Sequence, residues 1–236
     1  MSEWVEIELG DFIELKRGYD LPQKDRTAGN IPIVSSSGKS GLHGDFKVKG
    51  PGVITGRYGT IGEVFYCEEN FWPLNTTLYV KDFKGNDPLF TYYFLKTIRF
   101  SDYSDKAAVP GINRNHLHKA IVKVPSDPIY QRHLALKLWE LDKKIHLNTK
   151  TNQTLESIAQ AIFKSWFVDF EPVKAKMAVL ADGGTREQAE LAAMGAISGK
   201  SEAELAQLQQ QNPEHYQQLA ETAALFPSAM VESELG

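Results

Sequence analysis

The sequence predicts an α+β protein with a β-rich N-terminal domain, a long coiled-coil helix and short C-terminal helices. Two observations support this class. Residues 1–127 contain short apolar segments that are separated by Gly, Pro, Asn and Ser, which is typical of strands and turns. Between Pro128 and Pro172 there is no Pro or Gly, and apolar residues recur at alternating spacings of four and three residues. The predicted domains are therefore 1–127, 128–170 and 171–236.

The predicted strands of the first domain come in the order 31–34, 52–55, 63–67, 74–80 and 121–124. One helix, predicted over 88–99, lies between the fourth and fifth strands. Its apolar residues have helical spacing, and Pro88 suits a first-turn position because its missing N–H needs no partner there. Together these elements indicate a small α+β domain dominated by strands.

The long helix should begin at Pro128, with Asp127 as its N-cap. Over 128–170 it would be a rod of roughly 60 Å, which is too long to bury its stripe on one small domain. We therefore predict a coiled coil with a partner helix; one long helix of an ordinary bundle is the alternative. The predicted dimerisation seam consists of Leu134, Leu138, Leu141, Ile145, Asn148, Asn152, Leu155, Ile162 and Trp166, with Ala159 at the same spacing.

Asn148 and Asn152 place two polar side chains in the middle of this seam. Buried polar residues at seam positions lower stability but specify register and partner orientation. A local break in the seam is the alternative interpretation.

The third region is rich in Ala, Gln and Glu and predicts short helices near 185–194 and 201–224. It also carries the acidic charge of the chain. Residues 171–236 hold 4 Lys and Arg against 10 Asp and Glu, whereas residues 1–127 hold 16 of each. The formal net charge of −4 therefore does not exclude a nucleic-acid partner for the first domain.

The two extremities of the chain also resemble each other. Val231–Gly236 repeats Val5–Gly10 with one mismatch, which is what a duplicated unit would leave behind. We therefore expect the chain to be one unit of a two-unit architecture.

Composition excludes several classes of protein. The hydrophobic fraction of 42% is sufficient for a packed core, and the single cysteine, Cys67, excludes an intrachain disulfide or a cysteine-based zinc site. No long apolar stretch or signal-like start occurs, so we expect a cytoplasmic protein without membrane contact. No P-loop is present, the glycines of 56–62 precede a predicted strand rather than a helix, and His116 and His118 lack a third ligand. The sequence predicts neither an enzyme nor a metal site.

The glycine-rich stretch 38–62 is locally basic and carries an aromatic residue, Tyr58. Backbone in such a stretch can approach a ligand closely, and Arg57 is the best candidate for bidentate reading of guanine. Ordinary turns beside a solvated basic face are the alternative. The candidate DNA contacts are Lys39, His43, Lys47, Lys49, Arg57, Tyr58, Thr60, Asn75 and Thr77.

Several motifs together resemble the DNA-specificity subunit of type I restriction–modification systems. The strongest is the end of the long helix, IAQAIFKSWFVDFEPV at 158–173. Others are LGD at 9–11, KRG at 16–18, IPIVSSSG at 31–38, GVITGRYGTIG at 52–62, NTTLYV at 75–80, VPGINR at 109–114, LDKKIHLN at 141–148 and TAALFP at 222–227.

The resemblance implies a target-recognition domain followed by a conserved helix, with two such units in one chain and their helices antiparallel. It also implies a methyltransferase subunit that uses S-adenosylmethionine and a motor-nuclease subunit that uses ATP and magnesium, so that this non-catalytic chain needs no cofactor. Since the chain holds one unit, we expect an antiparallel homodimer that recognises an interrupted palindrome in double-stranded DNA. The alternative is a non-enzymatic coiled-coil dimer whose β domain binds a protein or a carbohydrate.

Overall fold

The computed structural model describes residues 3–104 and 111–231, and the chain forms two compact units, residues 1–145 and 146–236. Part of the VPGINR motif, Val109 and Pro110, and most of the C-terminal repeat, 232–236, lie outside the described residues. The α+β class is confirmed: a β-rich region is followed by a long helix and shorter helices.

The first unit contains nine strands and three short helices before the long helix, counted over the part of it that the structure describes. The strands are β1 (Trp4–Glu8), β2 (Glu14–Arg17), β3 (Ile31–Ser35), β4 (Gly38–His43), β5 (Gly52–Gly56), β6 (Val64–Cys67), β7 (Trp72–Pro73), β8 (Thr77–Asp82) and β9 (Ile121–Pro125). The helices are α1 (Leu9–Phe12), α2 (Pro88–Leu95) and α3 (Arg114–His118).

The strands form three small sheets. β1 pairs antiparallel with β9, and an antiparallel sheet has the order β2-β8-β5-β6. In the third sheet, of order β4-β3-β7, β3 is antiparallel to β4 and parallel to β7. The main core lies between the four-stranded sheet and the short helices; its buried residues include Leu9, Phe12, Ile13, Leu15, Val53, Leu78, Leu95 and Leu117.

Two predicted elements of this unit differ from the structure. The predicted strand 74–80 is interrupted by a turn, because the backbone N–H and the hydroxyl of Thr77 both donate to the Leu74 carbonyl, at 2.9 and 2.7 Å. The predicted helix 88–99 ends at Leu95 and is followed by a short 3-10 turn, Phe100–Tyr103. Its predicted start at Pro88 is confirmed, with the Asp87 side chain accepting from the Phe90 N–H.

The long helix, α4, runs from Pro128 to Phe163, and a π-helical turn, Lys164–Val168, follows it. Only Gln131 and Ala135 are buried among its described residues. The Gln131 amide lies between segments of the first unit: its oxygen accepts from the Asp87 N–H at 2.9 Å, and its NH₂ donates to Asn86 and to the Pro125 carbonyl. This buried amide anchors the start of α4 to the domain.

The predicted seam is largely exposed. Leu138, Leu141, Ile145, Leu155 and Ile162 have exposed fractions between 41 and 63%. Asn148 and Asn152 are exposed as well, whereas Leu134 and Trp166 are half-buried. Trp166 lies in the π-helical turn, so it does not keep the helical phase of the other seam positions.

The remaining helices of the second unit are α5 (Glu171–Ala181), α6 (Arg186–Ser198), α7 (Glu202–Gln211) and α8 (Pro213–Ala224). The predicted helix 201–224 is thus two helices, because Pro213 cannot continue α7 and Asn212 caps α8. Capping boxes at Thr185 and Ser201 start α6 and α7. The buried Lys176 ammonium donates to Glu190 and to the Phe226 carbonyl, both at 2.9 Å, and so links three segments.

Residues 3–104 and 111–231 contain neither a candidate membrane span nor a cluster of metal-ligating side chains. No helix there is long and apolar enough to cross a membrane. No group of three or more His, Cys, Asp or Glu side chains there is arranged to hold a metal ion.

Candidate nucleic-acid interface

Three arginines from distant parts of the sequence meet in the first unit. Arg17 ends β2, Arg57 follows β5 and Arg114 begins α3, and together they line a cleft of about 320 Å³. Its other lining residues are Tyr58, Leu78, Ile112, Asn113 and Asn115. We call this site the arginine cleft.

Backbone hydrogen bonds hold the Arg57–Tyr58 segment in place. The N–H groups of both residues donate to the Thr76 carbonyl, at 2.8 and 3.1 Å, and the Ile112 N–H donates to the Arg57 carbonyl at 3.0 Å. Gly111 lies directly against the Tyr58 ring, since a Cβ at this position would come within 2.1 Å of Tyr58 Cε1. A glycine at this position is what allows the ring to lie in the cleft.

The cleft is positively charged. None of its lining residues is acidic, and Arg17, Arg57 and Arg114 form no ion pair with any carboxylate in the described ranges 3–104 and 111–231. The Arg57 guanidinium lies over the Tyr58 ring. Guanidinium groups bind phosphate and guanine edges in a bidentate manner, and an exposed aromatic ring offers a stacking surface. The arrangement suits an anionic ligand with planar groups.

A second basic and aromatic cluster surrounds Trp72. The Lys47 ammonium lies 4.7 Å from the centre of the Trp72 ring, and the Lys16 ammonium lies 5.5 Å from that of Tyr19. The hydroxyls of Tyr19 and Tyr79 are 2.9 Å apart. This hydrogen bond lowers the pKa of Tyr19, whereas burial and the same hydrogen bond raise the pKa of Tyr79. Lysines held over aromatic rings add positive charge to this surface.

The structure brings some of the predicted DNA contacts together. Arg57 and Tyr58 lie in the arginine cleft, and Thr60 is exposed in the loop that follows them. Lys47 and Lys49 are exposed on the segment between β4 and β5.

Two other predicted contacts lie apart from the arginine cleft. Lys39 lines a different cleft, which also contains Cys67, Glu69 and Trp139. The Asn75 amide is bonded to the Asp20 carboxylate.

Two of the predicted contacts, His43 and Thr77, have buried side chains. His43 Nδ1 accepts from the Thr27 N–H at 3.0 Å, and its ring packs edge-on against Trp72. The Thr77 hydroxyl is used by the turn at Leu74. Their burial does not fit direct contact with DNA, because both side chains already complete hydrogen bonds inside the domain.

Sequence reasoning did not select Arg17, Arg114, Asn113 or Asn115 as site residues. The motifs KRG and GINR contain Arg17 and Arg114, but nothing in either segment alone indicates that the two face a common cleft. Asn113 acts as the cap of α3, accepting from the Asn115 N–H at 3.0 Å, and so orients Arg114.

Comparison with known proteins decides the family. Residues 1–157 match the type I restriction modification DNA specificity domain. The chain belongs to this family. The resemblance that its motifs carry is thereby confirmed, and membership in a specificity family agrees with the expectation of a non-catalytic chain.

Two curated relatives of this specificity-domain chain are specificity subunits. Over 129 residues it is 51% identical to the type I restriction enzyme HindI specificity subunit of Haemophilus influenzae, a match that covers 55% of this chain and 28% of that protein. Over 89 residues it is 36% identical to the MjaIX specificity subunit of Methanocaldococcus jannaschii, covering 36% and 20%. The matched part therefore spans less than a third of each relative.

Two solved structures share the fold of the specificity-domain chain. The S subunit of a type I restriction–modification system from M. genitalium gives a TM-score of 0.53 at 19% identity and covers 75% of this chain and 46% of that one. A chain from a structural study of type I system assembly and conformational transition also gives 0.53, at 11% identity, covering 67% and 43%. At these identities the likeness concerns the fold alone.

Proposed function

We propose that this chain is the sequence-specific DNA recognition subunit of a type I restriction–modification complex and that it reads DNA through the arginine cleft. The observation that carries the proposal is the match of residues 1–157 to the DNA specificity domain together with three arginines without ion pairs among the described residues. A cleft of this charge suits the phosphate backbone and guanine edges.

Within the cleft, the three arginines differ in their contacts and exposure. Arg57 is held by its backbone hydrogen bonds and by the Tyr58 ring, so its guanidinium is preorganised for one direction of approach. Arg17 and Arg114 are exposed at the ends of their elements and suit phosphate contacts. We therefore assign base reading to Arg57 and backbone contacts to Arg17 and Arg114. Lys47 and Lys49 are the further predicted contacts whose exposure fits this role.

Two copies of the chain would complete the recognition of a bipartite site. The exposed stripe of α4 supports an antiparallel pair of helices, with one recognition domain at each end. Because a two-fold pair presents identical reading surfaces, the target would be an interrupted palindrome.

The other activities of such a complex would belong to partner subunits. A methyltransferase subunit would bind S-adenosylmethionine and modify the target, and a motor-nuclease subunit would bind ATP and magnesium. This chain would direct both to the site without catalysing either step.

Methylation mapping tests the proposal. The full chain is produced with the methyltransferase subunit of its own system as the only specificity chain, and the methylated sites of the host DNA are sequenced. We expect one interrupted palindrome with identical half-sites. Two unlike half-sites would contradict the homodimer, and the absence of sequence-dependent methylation would contradict the DNA-reading function.

Salt-dependent binding separates this function from a scaffold that binds a protein or a carbohydrate. The complex is titrated with a duplex that carries the mapped site and with a random duplex, at several salt concentrations. DNA reading predicts tighter binding to the mapped site and a steep loss of affinity with salt, because phosphate contacts release counterions. A scaffold for another ligand predicts no preference between the duplexes.

A further inference from the structure

The seam residues of α4 are placed symmetrically about Lys150 in the sequence. Each seam residue before Lys150 has a counterpart at the same distance after it, and the pairs are Leu138 with Ile162, Leu141 with Ala159, Ile145 with Leu155 and Asn148 with Asn152. We propose that two copies pair antiparallel with Lys150 at the centre, and that Phe163 of the second copy occupies an apolar groove beside Trp4. This inference rests on the two-copy arrangement of the proposed function and names its register and contacts.

The two asparagines select this register among the antiparallel ones. With Lys150 at the centre, the Asn148 of each copy faces the Asn152 of the other copy. The amides of each of these two pairs can bond to each other. A shift by one heptad instead places Asn152 against Leu155 or Leu141. Buried amides facing leucine lose their hydrogen bonds to water without replacement, which disfavours both shifted registers.

The apolar layers fit the same register. Leu141 faces the small Ala159, and the remaining layers join one large aliphatic residue to another. The π-helical turn that begins at Lys164 changes the phase of the helix, so the regular seam ends at Ile162. Trp166 packs edge-on against Phe226 of its own unit, with ring centres 5.5 Å apart, and is not needed for the seam.

The first unit carries an apolar groove beside the start of this seam. The groove has a volume of about 520 Å³ and is lined by the apolar Trp4, Phe90, Tyr93, Phe94, Leu134 and Leu138 and by Thr97, Lys123 and Lys137. Trp4 is 48% exposed although it lines this groove. We call it the Trp4 groove. Because the seam residues Leu134 and Leu138 line it, the groove is continuous with the proposed interface.

The register brings Phe163 of the second copy to the Trp4 groove. Ala135 and Asp142 lie on the side of α4 that faces the domain, since Ala135 is buried and Asp142 accepts from the Tyr93 hydroxyl at 2.7 Å. In an antiparallel pair, residues that flank the seam on the same side face each other, so the Phe163 of the second copy lies beside Ala135. Phe163 is 61% exposed in the single chain, and its neighbour Ile162 faces Leu138, which lines the Trp4 groove.

The same flank also brings Asp142 close to Glu156 of the second copy. Two like charges at this distance oppose pairing weakly. The Tyr93 hydroxyl reduces this repulsion because it donates a hydrogen bond to Asp142.

Disulfide cross-linking tests the register on the full chain. Cys67 is the only cysteine, so Cys67→Ser provides a background without thiols. In that background, chains with Leu141→Cys are mixed with chains that carry Ala159→Cys and oxidised. We expect a disulfide-linked dimer, because only the Lys150-centred register brings these two Cβ atoms together.

Two controls cover the competing arrangements. The first control covers the two heptad shifts: mixtures of Asn152→Cys with Leu141→Cys or with Leu155→Cys cross-link only in the corresponding shifted register. The second control is Leu141→Cys alone, which cross-links only if the helices are parallel. Cross-linking in either control would overturn the register while leaving a two-copy complex. A chain that stays monomeric without any cross-link would overturn it too, and DNA reading by the cleft is then judged separately from the salt-dependent binding.

A matched pair of variants tests the Trp4 groove. Phe163 and Leu147 are equally exposed at 61%, but Leu147 lies away from the seam. By analytical ultracentrifugation we expect Phe163→Ala to raise the dimer dissociation constant about tenfold or more, as loss of a buried aromatic anchor does, and Leu147→Ala to leave it within about twofold. Equal effects of the two substitutions would overturn the groove contact.

Discussion

The guanidinium carbon of Arg57 lies 4.3 Å from the centre of the Tyr58 ring. Stacking of this kind holds an arginine in one direction without an ion pair, so its hydrogen-bond donors stay available to a ligand. Tyr58 is itself pressed against Gly111, which makes the position of Arg57 depend on a residue far away in the sequence.

Arg57→Ala should weaken binding to the mapped site by about 1–3 kcal/mol and relax discrimination against changed bases. The measurement is a titration of the purified complex with the mapped and the random duplex. Equal weakening on both duplexes would make Arg57 a phosphate contact. Lys39→Ala is the comparison, because Lys39 lies in a different cleft; we expect the smaller effect there.

Arg17→Ala and Arg114→Ala should weaken binding to both duplexes alike. Each substitution removes one phosphate contact, so the slope of log affinity against log salt should decrease by about one. Lys24→Ala, an exposed lysine outside the cleft, is the control and should leave the slope unchanged. An unchanged slope in the arginine variants would remove them from the DNA surface.

Gly111→Ala should weaken DNA binding without unfolding the domain. The added methyl group would lie 2.1 Å from Tyr58 Cε1, and the ring, which is 36% exposed, has to move out of the cleft. We expect binding to fall as far as in Tyr58→Ala while the melting temperature changes little. In a double-mutant cycle, Gly111→Ala should cost nothing more once Tyr58→Ala is present; a further loss would show that the glycine acts by another route.

Gln131→Leu should destabilise the first unit by about 3 kcal/mol, since it leaves the Asp87 N–H and the Pro125 carbonyl buried without partners. Urea unfolding followed by circular dichroism measures the free energy of unfolding. His133→Leu, at an exposed neighbouring position, should change it by less than about 0.5 kcal/mol. Similar effects of the two substitutions would mean that the amide does not anchor α4.

Stability should fall in mild acid because of His118. Its Nε2 accepts from the Leu15 N–H at 3.0 Å, and burial, with a smaller contribution from Arg114, lowers its pKa. Since the unfolded histidine has a pKa of about 6.5, the unfolded chain takes up the proton first. The contribution of His118 is therefore complete above that pH and is lost as the pH falls towards the lower folded pKa.

Unfolding measured across this pH range checks the assignment. His118→Gln keeps a side-chain acceptor but has no group that titrates, so its free energy of unfolding should depend less on pH below about 6.5. An identical pH dependence in both proteins would assign the effect to other groups.

Much of the architecture follows from local patterns. The start of α4 at Pro128 and of α2 at Pro88 agrees with their cap residues, and strands β3, β5, β6 and β9 lie within a residue or so of the predicted segments. The strand β1 was not predicted, although Trp4–Glu8 alternates in exposure, because its pairing with β9 joins the two ends of the domain. When two paired strands are so far apart in the sequence, neither segment alone indicates that the other is its partner.

The candidate site could likewise be predicted from the sequence only in part. Arg57 and Tyr58 stand in a glycine-rich stretch whose composition indicates close approach to a ligand. His43 and Thr77 have side chains that suit DNA contacts by type, yet each is buried and already makes a hydrogen bond inside its own domain. Residue type indicates what a side chain can bond to, but only packing decides whether a ligand can reach it.

The sequence by itself determined the helical stripe, its symmetry about Lys150 and the motifs of the specificity family, since all three depend on spacing along one chain. Only the tertiary structure decided that Arg17, Arg57 and Arg114 share one cleft and that Trp4 borders a groove at the start of the seam. The physical reason is that periodicity acts between neighbours, whereas a cleft is formed by segments that meet only after the sheets have paired and buried their core.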